Sequence, residues 1–211
     1  RMKIGVIIPV KKFNDSKQRL SSICTLEERR DLSRSMLFDI CDVLIKSEYF
    51  TEIVLVSSEE EITQYENYDD ITYLRENEVN GVDNAVELGN RYFIEEGFDA
   101  TVVIPGDIPL IHNKVLDELF NLIKDNQVII TPSRKKNGTN LLFRSPPDVI
   151  GTSYDNNSYF RHLDMIKAKN LQHWIYLEDS IRLDLDEPED IKIINERLLD
   201  SRTKSLLKKF N

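Results

Sequence analysis

Apolar positions follow two rhythms along this chain. Short continuous apolar runs closed by polar turns recur at 3–10 (KIGVIIPV), 52–58 (EIVLVSS), 71–77 (ITYLREN), 101–107 (TVVIPGD), 128–134 (VIITPSR) and 140–145 (NLLFRS). Runs of this length, rich in Val and Ile, predict strands buried on both faces. Between them the spacing turns helical. Thr25 followed by Glu28 forms a capping-box pattern, and Leu32, Met36, Leu37, Ile40, Val43 and Leu44 then recur on one face. EEEITQYEN (59–67) predicts a short helix, and VDNAVELGNRYFIEEG (82–97), VLDELFNLIKDN (115–126) and YFRHLDMIKAKN (159–170) predict longer ones. HWIYLED and IRLDLD predict extended segments, and Pro188 lies near the first turn of a final helix.

Strands alternate with helices through the first two thirds of the chain. That alternation predicts a three-layer α/β/α domain with a mostly parallel, mixed sheet, helices on both faces and ligands at the carboxyl ends of the strands. No repeat, low-complexity tract or interdomain linker breaks it, so a single domain over 2–211 is expected, with Arg1 left out and a basic amphipathic tail at 201–211. The tail reads as a helix docked on the surface or on another subunit rather than as a membrane anchor.

Composition narrows the partners. The chain has 211 residues, 40% of them hydrophobic and 31% charged, enough for one full core. A formal net charge of -9 excludes a broad basic face for nucleic acid, so any phosphate must be met by a local cluster of cations. Cys24 and Cys41 have neither disulfide-framework nor metal-site spacing, which points to a reducing cytoplasm. The run IGVIIPV is too short to cross a bilayer and is followed at once by Lys11 and Lys12.

Three places carry candidate chemistry. Asp107 follows a buried strand, where an α/β sheet places its ligands, although the same position suits a turn or a helix cap. Asp184 and Asp186 alternate, which on a strand sends both carboxylates to one face. Such a pair suits either a divalent cation with oxygen ligands or the acidic decoration of an exposed edge. Lys11, Lys12, Lys17 and Arg19 cluster after the first strand, either to hold phosphates or as a solvated basic loop. Neither GxGxxG nor GxxxxGK[ST] occurs, which argues against a dinucleotide-binding domain or a P-loop.

The ordered set PVKKFNDSKQRL, NGVDNAV, VIPGDIPLI, NGTNLLFRSPP, YDNNSYFRH and LDLDEPED resembles the 2-phospho-L-lactate guanylyltransferase family of deazaflavin coenzyme (F-420) biosynthesis, over nearly the whole chain. The resemblance implies a nucleotide-diphospho-sugar transferase (glycosyltransferase-A) fold. It also implies transfer of GMP from GTP to 2-phospho-L-lactate, or a related phosphoacid such as phosphoenolpyruvate, with release of pyrophosphate. A Mg²⁺ cofactor, a homodimer, and no nucleic-acid or membrane partner are implied as well.

Residue by residue, the resemblance assigns Lys17, Arg19 and Asp107 to catalysis. The nucleotide falls to Pro9, Val10, Lys11, Lys17, Arg19, Asp83, Asn84, Pro105 and Gly106, the phosphoacid to Thr139, Asn140, Asp155 and Ser158, and the metal to Asp107, Asp184 and Asp186. Asp155 stands where the family has glycine: an acid there repels an anion unless it points away, though Asp tolerates a left-handed backbone. Val82 and Asp83 replace the family's leucine and asparagine. A phosphate monoester is already anionic, so His112, His162 and His173 are not needed as bases; His162, beside Arg161, reads either as a substrate contact or as a structural residue. The alternatives are a sugar-phosphate, cytidylyl or molybdenum-cofactor nucleotidyltransferase, or a catalytically silent regulatory protein of the same fold. The former usually carry a Gly-rich loop after the first strand, and residues 11–19 contain no glycine.

Overall fold

The run at the start of the chain becomes β1 (Ile4–Val10), an interior strand of a seven-stranded sheet, in a computed structural model that describes residues 1–78 and 80–210. The last residue of the tail, Asn211, lies outside the described residues. The other strands are β2 (Glu52–Ser57), β3 (Thr72–Arg75), β4 (Ala100–Val103), β5 (Gln127–Pro132), β6 (Thr139–Ser145) and β7 (Gln172–Ile175), in the order β3-β2-β1-β4-β6-β5-β7. β1 pairs in parallel with β2 and β4, β2 with β3, and β5 with β7, whereas β6 runs antiparallel to both β4 and β5. Among the described strands only β6 is reversed, so its first residue, Thr139, lies at the same edge as the carboxyl ends of the other strands. The chain winds outward from β1 through β2 and β3, then returns to β4 on the other side of β1. The crevice at that reversal of winding is where such sheets bind ligands.

Both sheet faces are covered, as continuous rather than alternating apolar strands require. Ile4, Val6 and Ile8 of β1 point to one face with Leu37, Ile40 and Leu44 of α1 (Leu26–Lys46) and Leu116 and Leu119 of α3 (Asn113–Phe120). Ile7 points to the other, with Val86 and Phe93 of α2 (Val82–Glu95) and Leu163 and Ile166 of α4 (Ser158–Ala168). Helix α2 comes unusually close to β1. A Cβ at Gly89 would sit 2.9 Å from Ile7 Cγ2, and one at Gly5 would overlap the Phe93 ring. A methyl group at either position would push helix and sheet apart, losing contacts of the kind worth about 1–3 kcal/mol in a packed interior.

The capping box forms as the sequence predicts: Glu28 N–H donates to Thr25 Oγ1 at 3.1 Å and Thr25 N–H to Glu28 Oε1 at 3.0 Å. EEEITQYEN forms only a 3-10 turn at Glu60–Gln64. The larger departure is at IRLDLD. Asp179–Arg182 closes a single helical turn, α5, because Glu178 accepts the Ser180 N–H, and residues 183–186 run extended outside the sheet. Leu183 and Leu185 are buried there, and Leu185 N–H donates to the Asp107 carbonyl at 3.0 Å, so the segment is laid across the strand ends rather than paired into them. Pro188 is the first residue of α6 (Pro188–Arg197).

The tail forms α7 (Arg202–Leu207), docked on α1: Arg202 pairs with Asp39 and Asp42 at 3.0 and 2.8 Å, and Leu207 is buried with Leu32, Met36 and Ile194. Cys24 and Cys41 are free and buried. No helix among the described residues is long and apolar enough to cross a membrane.

Candidate active site

The ends of β1 and β4 open into a cleft of about 540 Å³. Its walls contain Pro9, Val10, Lys11, Lys17, Arg19, Pro105, Gly106, Asp107, Thr139 and Asp186, ten of the residues singled out from sequence. Phe13, Met36 and Leu37 add an apolar side. The sequence marks Met36 and Leu37 only as one face of a helix, because helical spacing that marks a buried face does not say whether sheet or ligand covers it, and Phe13 only as part of the loop after the first strand. Tyr154, Gln18 and Val82 also line the cleft; they lie in the motifs that carry the family resemblance, which assigns them no role.

Lys17 is the centre of the charge arrangement. Its backbone is left-handed, with φ 56° and ψ 36°, an uncommon state for a residue with a side chain and one that marks functional turns. The turn sends the ammonium inward, 2.6 Å from Asp107 Oδ2 and 3.8 Å from Asp186 Oδ1, with a side chain only 10% exposed. Burial by itself would lower the Lys17 pKa, but Asp107, Asp186 and Asp184 outweigh it and hold the group above its ordinary value. Arg19 is exposed and pairs with Asp186 at 3.0 Å and Glu187 at 3.4 Å. Lys11 is an exposed wall of the cleft, whereas Lys12 turns away toward Glu59, Glu60 and Arg75.

The carboxylates gather, but not on one strand face as expected. Asp186 separates the main cleft from a second one of about 410 Å³, onto which Asp184 opens. Asp184 accepts from Asn140 Nδ2 at 3.0 Å, and burial together with Asp107 raises it to about 6. The cluster therefore holds more negative charge than Lys17 cancels. Carboxylate oxygens without soft ligands suit a hard divalent ion. Among the described residues, no three His, Cys, Asp or Glu side chains form a ready metal cage, so the remaining ligands of such an ion must come from elsewhere, as phosphate oxygens do for Mg²⁺.

Thr139 and Asn140 do not share a pocket. The register jumps from Thr131 opposite Leu141 to Pro132 opposite Thr139, which leaves Asn140 as the extra residue of a bulge. Asn140 points toward α5 and donates to the Ile181 and Arg182 carbonyls as well as to Asp184, so its amide nitrogen is committed to holding the 181–184 segment. Thr139 points toward α4: its hydroxyl lies 3.0 Å from Ser158 Oγ and 2.9 Å from His162 Nδ1. Ser158 is not a cap. Asn157 precedes the helix as a left-handed residue making no side-chain cap, and Ser158 is the first helical residue, buried at 2% exposure.

The loop at 150–157 roofs this side through side-chain anchors. Asp83 Oδ1 accepts from Tyr154 N–H at 2.9 Å and from Thr152 Oγ1 at 3.0 Å, and Arg144 donates to the Ile150 carbonyl at 3.0 Å. Asp83 and Asn84 lie outside the cleft walls, and Asn84 donates to the Asn80 carbonyl. Asp155 is exposed and is not the left-handed residue of the loop; Asn157 is.

A lysine-centred acidic cluster at the winding reversal of this sheet, beside a polar cleft, defines a nucleotidyltransferase of the nucleotide-diphospho-sugar transferase type. Solved structures share the fold. One from Desulfovibrio desulfuricans G20, provisionally named a nucleotide-diphospho-sugar transferase, superposes with a TM-score of 0.79 at 14% identity, covering 99% of this chain and 95% of that one. A nucleotidyl transferase from Methanothermobacter superposes with a TM-score of 0.63 at 12% identity, covering 98% and 99%. The chain belongs to the family described as guanylyl transferase CofC like, whose model matches residues 4–211. Its relatives include the 2-phospho-L-lactate guanylyltransferase of Methanocaldococcus jannaschii, 36% identical over 98% of this chain and 89% of that protein. The enzyme of the same name from Methanobrevibacter smithii is 32% identical over 88% and 80%.

Proposed function

We propose that this enzyme transfers the guanylyl group of GTP to 2-phospho-L-lactate, or to a related three-carbon phosphoacid such as phosphoenolpyruvate, and releases pyrophosphate, as a cytoplasmic homodimer in deazaflavin coenzyme biosynthesis. The observation that carries the reading is the placement of Lys17 between Asp107 and Asp186 at the mouth of the cleft, joined to membership of a guanylyl transferase family.

The chemistry asks little of protein nucleophiles or bases. An oxygen of the phosphoacid's phosphate attacks the α-phosphorus of the nucleotide in line, that bond forms as the bond to pyrophosphate breaks, and no proton has to move first. The difficulty is to hold two polyanions together, and positioning is the larger part of catalysis in such cases. Lys11, Lys17 and Arg19 supply cations on the nucleotide side, where Pro9, Val10, Pro105 and Gly106 shape the wall. Thr139 and Ser158 supply hydroxyls, and the first N–H groups of α4 lack a side-chain cap, so an anion there meets free donors. Asp155, exposed on the loop, leaves the anion path to these donors. Asn140 serves the site by fixing Asp184, and Asp83 by fixing the roof loop.

Asp107 and Asp186, with Asp184 beside them, are the residues that would hold Mg²⁺, which when bound neutralises phosphate charge and fixes the phosphate geometry. The test is to incubate the protein with Mg²⁺, each nucleoside triphosphate and each candidate phosphoacid and to measure pyrophosphate. Release is expected with GTP and phospholactate or a close relative. Release that needs no phosphoacid, or that prefers a sugar phosphate, overturns the reading. Sedimentation reads the dimer.

A further inference from the structure

His162 is fully buried and takes no part in the chemistry above, yet its Nδ1 lies 2.9 Å from the hydroxyl of Thr139, which lines the cleft and is paired with Ser158. Its two nitrogens have different neighbours. Nε2 lies 3.0 Å from the backbone nitrogen of Ser153, which can only donate. Nε2 must therefore be bare, and a neutral ring then carries its proton on Nδ1, which faces Thr139 Oγ1 at 2.9 Å. A doubly protonated ring would set N–H against N–H at Ser153, and burial together with Arg144 lowers the ring to about 4, outweighing the opposing pull of Asp83.

The consequence passes to the hydroxyls by counting protons. With Nδ1–H donating to Thr139, the Thr139–Ser158 contact, made in either direction, uses one of the pair's two protons and leaves the other for a further acceptor, and Thr139 is the member of the pair that lines the cleft. With the other tautomer Thr139 would donate to Nδ1, Ser158 would donate to Thr139, and the pair would show only lone pairs to an anion. We propose that His162 is a positioning residue for the acceptor: held in one tautomer by the Ser153 amide, it polarises the Thr139–Ser158 pair so that Thr139 donates a hydrogen bond to the anionic group of the substrate. The proposal rests on the guanylyl-transfer reading for the identity of that anion, but the tautomer itself does not.

Two experiments test it separately. In protein labelled with ¹⁵N-histidine, long-range ¹H–¹⁵N spectra, assigned with His162→Gln, are expected to show His162 with a protonated Nδ1 and a bare Nε2; a protonated Nε2 overturns the proposal. Kinetics then compare two replacements. His162→Asn places an amide nitrogen near Nδ1 and can still donate to Thr139, whereas His162→Gln keeps only an acceptor for Ser153. The Gln variant is expected to raise KM for the phosphoacid about tenfold and the Asn variant no more than about threefold, with KM for GTP nearly unchanged in both. Equal rises for both substrates, or losses in both variants that follow thermal stability alone, mean that His162 is only structural. If the wild-type protein releases no pyrophosphate with any phosphoacid, it is the guanylyl-transfer reading that fails, and the spectrum still decides the tautomer.

Discussion

The Lys17 ammonium lies 2.6 Å from the Asp107 carboxylate, joining residues 90 apart in sequence across the ends of β1 and β4. The pair sits where the sheet reverses its winding, and its geometry depends on the left-handed turn at Lys17. A cation there compensates Asp107, Asp184 and Asp186.

Replacement of Lys17 by Ala should therefore cost more than a phosphate contact. It removes a preorganised charge from the reacting site and leaves a half-buried acidic cluster without its nearest cation. We expect kcat/KM to fall about a hundredfold, the scale of losing one preorganised electrostatic group. Steady-state kinetics at saturating Mg²⁺ check this, and a variant restored by extra Mg²⁺ would show that Lys17 only balances charge.

If Asp107 and Asp186 hold Mg²⁺ as proposed, Asp107→Asn and Asp186→Asn should each lose most activity while keeping the fold, since each would remove a hard anionic ligand with little change of shape. Asp184→Asn should be milder: Asp184 opens onto the second cleft and is held by Asn140. Activity titrated against Mg²⁺ distinguishes them. The first two variants should need far more metal, and near wild-type turnover of either at limiting Mg²⁺ would remove it from the metal site.

Much of this site was legible in the sequence because the chain hands each strand to a loop with abrupt chemistry. The change from TVVIP to Gly106 and Asp107 marks a strand end, and a cation-rich loop lies after the first strand; α/β topology brings such ends together. What was not legible depended on single local events. The bulge at Asn140 separates two neighbours that the motif NGTN presents as one unit, sending Thr139 to α4 and Asn140 to α5. IRLDLD has the alternation of a strand, but Glu178 caps a helical turn at its start and Asp107 takes the Leu185 amide, so the two late acids are placed without a sheet. The anchoring of the roof loop by Asp83 joins residues about 70 apart that no local pattern connects.

Stability should depend on pH through His162. Burial and the nearby Arg144, against the weaker pull of Asp83, bring the ring from 6.5 to about 4 in the folded protein. Between these values the unfolded chain binds a proton that the folded ring refuses, so stability rises with pH across the window. It is fully present above about pH 6.5 and is lost as pH falls toward 4, by an amount on the order of 3 kcal/mol. Denaturant titrations of wild type and His162→Gln at several pH values check this: the difference between them should shrink as pH falls. A difference that does not change with pH would mean that the folded ring titrates like the unfolded one.

Ser158 separates a binding role from a folding role. It is the first residue of α4 rather than its cap, so its hydroxyl is not needed to satisfy the helix; it is buried against Thr139 Oγ1 at 3.0 Å and holds that hydroxyl toward the cleft. Ser158→Ala deletes the hydroxyl that pairs with Thr139, a wall of the cleft, and leaves the nucleotide side untouched. KM for the phosphoacid should rise about tenfold, because Thr139 loses the partner that orients its hydroxyl toward the anion, while KM for GTP stays within about twofold. The unfolding midpoint should move little, because a buried hydroxyl is removed together with much of its own desolvation cost. Parallel rises in both KM values, or a large loss of thermal stability at unchanged kinetics, would place the acceptor elsewhere and leave Ser158 as packing beneath β6.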